Sequence, residues 1–327
     1  MPFVTPRLVV RVDGSREVGV GHAVRSLALI QAWRDHGGTA SVASACLPDP
    51  VHQTLLEEGV QIIDLPSVGA ITDPLLKSFE QADWVIIDSY VVPTQIRELA
   101  KELCPHTGMI DDFANSVRPV NVDLLIDQNL GVHLGYYSND RVDRFLLGTR
   151  YALLRRFFRS ATSTSTQTCT RGLRILFLTG GSRHPTVSNA FRWAANDLKE
   201  KGHYVTSIGS GLRSQHVGFD RLPLLMAEAD LAITAAGSTC WELAWSGIPI
   251  VAVPTAHNQE QLAEALASHG IAVTVNPSEG ELTCRLTSTV AELISAPARR
   301  KEMATTGRKI VDGQGAERVA AMMLQAT

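Results

Sequence analysis

The sequence predicts an α/β protein of two Rossmann-like domains facing a cleft. Three observations predict it. Short apolar, β-branched runs alternate with segments of helical period; a polar, aperiodic tract breaks this alternation near mid-chain; and after it the same opening of strand, glycine turn and helix starts again. Strands separated by helices require right-handed crossovers, and therefore parallel sheets.

In the first half the strand candidates are LVVRV, TASVAS, QIIDL, WVIIDS, GMIDD and VDLLID, with helical periods in HAVRSLALIQAWRDHG and PTQIRELAKELC. Around Ser160–Thr170 the run SATSTSTQTCT has the composition of a linker. Beyond it come the strand RILFLTGG, the helix FRWAANDLKEKG, and the strands YVTSIG and LAITAA. The helix STCWELAWSG, the strand IPIVAVP and a closing helix, GAERVAAMMLQAT, complete the chain. The expected division is 1–159, a linker at 160–170, and 171–327, with the last helix able to pack back on the N-terminal domain.

At 327 residues the chain is long enough for two cores. A formal net charge of −3 argues against bulk electrostatic binding of nucleic acid. MPFVTPRLVVRVDGS lacks the apolar run of a signal peptide, and no stretch reaches the roughly 18 apolar residues of a membrane span, so no integral membrane segment is expected. Cys46, Cys104, Cys169, Cys240 and Cys284 are scattered and form neither a zinc pattern nor a disulfide framework, which fits a reducing cytoplasm.

The stretch REVGVGHAVRSLAL, Arg16–Leu29, places glycines between a buried strand and a helix starting near His22. Glycine lets a ligand approach the backbone, and a helix N-terminus favours anions. Histidine takes and gives a proton near neutral pH without special tuning. His22 is therefore a candidate general base; the plain alternative is a capping or packing residue. Asp13 is the carboxylate available in sequence to orient the ring, and it equally suits a turn before Gly14.

A second glycine site joins strand to helix at Ala236-Gly237-Ser238-Thr239, whose N–H groups and hydroxyls suit a pyrophosphate. Glu242, on the first turn, suits a ribose diol, as acidic residues do in dinucleotide sites, but the same spacing fits a capping box. The segment Pro254–Gln259 after the next strand brings a second polar loop to the same sheet edge and favours the ligand reading. A third turn, Thr179–His184 (TGGSRH), is structural in isolation and functional if it faces the cleft.

Arg11–Ser15, Gly19–Arg25, Ile87–Tyr90, Ile110–Asn115, Asp123–Asn129, Leu147–Arg155, Gly180–Ser182, Ala236–Glu242 and Asn258–Gln259 occur in one order over most of the chain. In these segments the chain resembles the pseudaminic acid pathway UDP-sugar hydrolase family, UDP-2,4-diacetamido-2,4,6-trideoxy-β-L-altropyranose hydrolase. That family is built like GT-B glycosyltransferases and is similar to the transferase that adds N-acetylglucosamine to lipid-linked peptidoglycan precursors. The resemblance implies a GT-B-type architecture and a metal-independent hydrolase of nonulosonic acid biosynthesis. Its partner would be a UDP-sugar, with no cofactor, and His22 would activate water to attack the anomeric carbon with inversion. It also implies substrate contacts from Asp13, Gly21, Arg25, Asp88, Tyr90, Gly181, Ser182, Gly237, Ser238, Thr239, Glu242, Asn258 and Gln259. Asp88 and Tyr90 would line the acceptor side. Two departures, Arg183 where the family has an acidic residue and Ser89 where it has a histidine, bear on the sugar rather than on UDP.

The competing reading is a GT-B glycosyltransferase that passes the sugar from a UDP donor to a hydroxyl acceptor. Fold alone does not separate the two. A basic, aromatic stretch, Arg150–Arg159, would serve a lipid-linked acceptor but is better suited to connecting the domains. A third reading, a nucleotide-sugar sensor, would keep the UDP loops and need no base.

Overall fold

The structure, a computed structural model, describes residues 5–14, 20–160, 172–179, 184–209, 221–277 and 281–327. Contacts divide the chain into two compact units. The first is built on Met1–Ser15, His22–Arg159 and Gly313–Thr327, the second on Arg16–Gly21 and Ser160–Asp312.

The first unit holds a seven-stranded sheet: β1 (Arg7–Val12), β2 (Thr39–Ser44), β3 (Gln61–Asp64), β4 (Trp84–Asp88), β5 (His106–Ile110), β6 (Asn121–Asp127) and β7 (Arg141–Leu147). Their order is β3-β2-β1-β4-β5-β6-β7, and every pairing is parallel. The chain winds outward from β1 in one direction, then returns to β1's other side as β4. That reversal is the topological switch point of the sheet.

Central strands of a parallel sheet are covered on both faces, so they read as unbroken apolar runs. In β4 every residue is buried, and Val9, Val85 and Ile87 pack under Leu75 and Phe79 of the helix Asp73–Glu80 and Ile96 and Ala100 of the helix Thr94–Leu103. The sequence pattern does not flag β7. As the edge strand it carries Arg141, Asp143 and Arg144, charges that discourage pairing with another chain and also hide its apolar period.

The second unit has a five-stranded parallel sheet of β8 (Arg174–Leu178), β9 (Tyr204–Ile208), β10 (Leu231–Thr234), β11 (Ile250–Ala252) and β12 (Ala272–Thr274), in the order β12-β11-β10-β8-β9. Its core joins Ile175, Phe177, Ile233 and Val251 to Phe191, Ala194 and Leu198 of the helix Pro185–Glu200 and to Leu286 and Val290 of the helix Leu282–Ser295. In the helix Pro297–Ile310, a Cβ on Gly307 would lie 2.8 Å from the Ala244 carbonyl oxygen. The helix thus lies directly against the helix Thr239–Ser246.

The last helix, Gly315–Leu324, belongs to the first unit. Trp84 Nε1 donates to the Met323 carbonyl at 3.0 Å, Arg318 Nη1 to the Arg150 carbonyl at 2.9 Å, and His36 Nε2 lies 2.9 Å from Glu317 Oε2. Gly315 starts this helix so close to the chain that a Cβ would sit 2.3 Å from Ala152 O and 2.5 Å from Ala152 N. Backbone cannot yield as a side-chain tip does. Gly315→Ala is therefore expected to destabilise the unit by about 1–3 kcal/mol. Calorimetry should show the melting temperature falling by about 2–4 °C for each kcal/mol.

Candidate active site

The helix Gly21–Asp35 begins at the glycine before His22, and its first turn sets His22 and Arg25 three residues apart on one face. Both are buried, at 6% and 3% exposure. Val12 at the end of β1 pairs in register with Asp88 at the end of β4, so the switch point delivers a carboxylate beside this helix start.

Asp88 is wholly buried. Its Oδ1 lies 2.5 Å from His22 Nδ1 and accepts from Arg25 Nη2 at 2.6 Å, while Oδ2 accepts from Arg25 Nε at 2.8 Å and Ser26 Oγ at 3.0 Å. Burial alone would raise this carboxyl, but Arg25 and then His22 outweigh it and hold it well below the usual range. An ionised Asp88 can only accept, so in the neutral imidazole this contact places the hydrogen on Nδ1 and the lone pair on Nε2; Arg25 Nη2 also lies 3.0 Å from Nδ1. Among the described residues Nε2 has no hydrogen-bond partner.

Arg25 has a second carboxylate. Its Nη1 donates to Asp112 Oδ2 at 2.6 Å, the Tyr90 hydroxyl donates to that same oxygen, and Asn129 Nδ2 donates to Asp112 Oδ1 at 2.6 Å. The Tyr90 ring meets the His22 ring edge-on, with centroids 4.5 Å apart. Asn129 Nδ2 also reaches Asp127 Oδ1 at 2.8 Å. Burial and then Asp112 push the Asp127 carboxyl up to about 6. Asp112 stays below the ordinary range: burial opposes this, but Arg25, His22 and the Tyr90 hydroxyl prevail. Arg25 is raised in spite of its burial because Asp112 and Asp88 flank it.

Three expectations change. Asp13 does not orient His22 and is not open to substrate. Its Oδ1 accepts from Ala45 N at 2.8 Å and its Oδ2 is paired with Arg11 Nη1 at 2.7 Å, so it ties down the chain after β2. Asp88 takes the orienting place. Asp88 and Arg25, expected to touch substrate, are instead buried and committed to each other and to His22 or Asp112. Tyr90 remains half-buried at the rim, with its hydroxyl on Asp112. Asp112, Asn129 and Ser26 are parts of the cluster that motif reasoning does not assign to it. The available signal was an aspartate closing or following each of three successive apolar runs, at Asp88, Asp111-Asp112 and Asp127.

In the second unit Gly237 and Ser238 lead from β10 into the helix Thr239–Ser246. Ser238 caps the helix by backbone position without a side-chain hydrogen bond, so its hydroxyl is not spent on a capping box. No backbone acceptor among the described residues meets the N–H of Ser238 or Thr239. Glu242 lies on the first turn and is buried at 4% exposure. After β11, Gln259 Oε1 accepts from Thr255 N at 2.8 Å and Thr255 Oγ1 at 3.0 Å, which holds the loop Pro254–Gln259 in one conformation. Asn258 lies in the 3₁₀ turn His257–Gln259. Its side chain, and Gly181, Ser182 and Arg183, lie outside the described residues. No group of three or more His, Cys, Asp or Glu among the described residues is arranged to hold a metal, and no described helix is long and apolar enough to cross a membrane.

Residues 175–317 match the model of the Glycosyltransferase family 28 C-terminal domain. A UDP-N-acetylglucosamine–N-acetylmuramyl-(pentapeptide) pyrophosphoryl-undecaprenol N-acetylglucosamine transferase of Carboxydothermus hydrogenoformans is 28% identical over 156 residues, 46% of this chain and 38% of that one. An uncharacterised protein of Methanocaldococcus jannaschii is 23% identical over 270 residues, 75% of this chain and 55% of that one. The chain thus spans little more than half the length of these relatives, or less. Among solved structures, Acinetobacter baumannii MurG superposes with a TM-score of 0.63 at 15% identity, covering 98% of this chain and 100% of that one. The fold is that of GT-B glycosyltransferases, with two Rossmann-like domains.

These matches overturn the expectation of a hydrolase. The family model and the curated relative of stated activity are both glycosyltransferases, in line with the alternative reading. The residues behind the hydrolase resemblance were read as a base and nucleotide-holding loops, parts that both chemistries require, so they do not distinguish water from an acceptor hydroxyl.

The depressed carboxyls at Asp88 and Asp112 make acid stability a test of the cluster. Their contribution is fully present above the unfolded carboxylate value of about 3.9 and is lost as pH falls through the lower folded values. Urea melts of the wild type should weaken steadily below about pH 4, and Asp88→Asn should flatten that slope while lowering stability at neutral pH.

Proposed function

We propose that the protein is a glycosyltransferase that moves a sugar from a UDP donor to an acceptor hydroxyl. The match of residues 175–317 to a glycosyltransferase domain carries the choice of transfer over hydrolysis, and His22, anchored through Nδ1 by Asp88 with no partner on Nε2 among the described residues, supports the proton transfer that it needs. The same domain match and the UDP-sugar named for a relative support the donor class.

In this reading Nε2 takes the acceptor's proton as its oxygen bonds to the anomeric carbon, and the bond from that carbon to the diphosphate oxygen breaks, with inversion. Asp88 keeps the ring in the required tautomer and balances the imidazolium that forms. The second unit binds UDP: the N–H groups of Ser238 and Thr239 and the helix dipole meet the charge on the diphosphate, and Glu242 holds the ribose. The space beside Gly237 is open, since a Cβ there would meet nothing within 4 Å, and Gln259 orders the neighbouring loop.

The deciding experiment incubates the protein with a panel of UDP-sugars, with and without hydroxyl acceptors, and follows UDP and glycoside by mass spectrometry. Glycoside formation with UDP release that depends on the acceptor is expected; equal UDP release without any acceptor overturns the reading. His22→Asn should lower kcat by about 10²–10⁴-fold, as loss of a general base does, while calorimetry shows UDP binding unchanged. Glu242→Ala should instead weaken UDP binding by about 1–3 kcal/mol, the range for a charge-assisted hydrogen bond. Unaltered UDP affinity in a folded variant would remove Glu242 from the nucleotide site.

A further inference from the structure

We propose that Asp112 sets the proton affinity of His22 without touching it, by leaving one negative charge of the buried cluster uncancelled. The proposal rests on the reading of His22 as the base and makes Asp112 a positioning residue.

Arg25 is shared. Two of its nitrogens lie on Asp88 and the third on Asp112. Asp88, Arg25 and Asp112 together carry one net negative charge, so with His22 the cluster is −1 while the imidazole is neutral and 0 once it is protonated. Among the described residues around the ring, Tyr90 and Ser26 are neutral, and Asp127, one step further through Asn129 and with its carboxyl raised by burial and Asp112, adds to the negative charge where it is ionised. Because the cluster is buried, solvent screens such a charge far less than at the surface. Asn129 pins Asp112 Oδ1 and leaves Oδ2 for Arg25 and Tyr90, so Arg25 is held away from cancelling Asp88 alone. Without Asp112, Arg25 and Asp88 would neutralise each other, and a protonated His22 would have no balancing charge nearer than Asp127, which lies one step further through Asn129.

The test is a ¹⁵N-histidine NMR titration, with the His22 signal assigned from His22→Gln. Asp112→Asn should lower the midpoint of the His22 titration by about one pH unit, a tenfold loss of proton affinity. Arg25→Gln removes the opposite charge and should raise it. A structural disturbance would leave the midpoint in place or move both variants the same way, and either result overturns the proposal. Should Asp112→Asn fail to fold, Arg25→Gln decides alone, and an absent or downward shift refutes the charge balance. In steady-state assays Asp112→Asn should lower kcat about tenfold, following the loss of proton affinity, with donor KM nearly unchanged. The titration needs no acceptor, so it stands or falls apart from the transferase reading. Opposed shifts together with normal turnover by His22→Asn would refute the base and leave the charge assignment intact.

Discussion

The buried carboxylate of Asp88 accepts from His22, Arg25 and Ser26 at once, and the organisation of the first unit's site follows from that convergence. A carboxylate without water must find donors, and three of these come from the first turn and a half of the helix after β1. Parallel pairing of β1 with β4 places Asp88 there, because Val12 and Asp88 share a register position. Any slip in that pairing would strand a charge and a guanidinium in the interior, and breaking a buried pair of this kind costs about 3–5 kcal/mol. Register, helix start and the geometry of the cluster are therefore specified together.

The same constraint explains why Arg25 is committed within the cluster. A guanidinium offers a planar fork, and here both edges of the fork are occupied, one by Asp88 and the other by Asp112. What remains for chemistry is the ring nitrogen the carboxylate does not hold. In the proposed reading the cluster presents Nε2 as a base, with Tyr90 bordering the ring. A polar network this deep tends to be rigid once every member is satisfied, which suits a base that must hold its orientation through a reaction.

The second unit uses the backbone where the first uses side chains. Its helix Thr239–Ser246 opens with N–H groups that no backbone acceptor among the described residues meets, and Ser238 does not spend its hydroxyl on capping. A helix start in that state suits an anion. The neighbouring loop is stiffened by Gln259 on Thr255, so its carboxamide oxygen is structural.

Much of the fold was legible in the sequence, since a parallel strand buried on both faces must be apolar and a helix laid over it must repeat at its own period. The glycine openings, His22 and the loop before Glu242 could be located for the same local reason. The edge strand β7 could not, because solubility at a sheet edge requires the charges that mask its pattern. Nor could the partner of His22. Asp13 lies closer in sequence, yet the backbone turns its carboxylate to Arg11 and Ala45, while Asp88, 66 positions along the chain, arrives through strand pairing. Residue type and local period are properties of neighbours in the chain, so the sequence by itself determined the elements and the candidate base. Which carboxylate orients that base, and which arginine is consumed in doing so, depends on contacts closed across the sheet, and only the tertiary structure decided it.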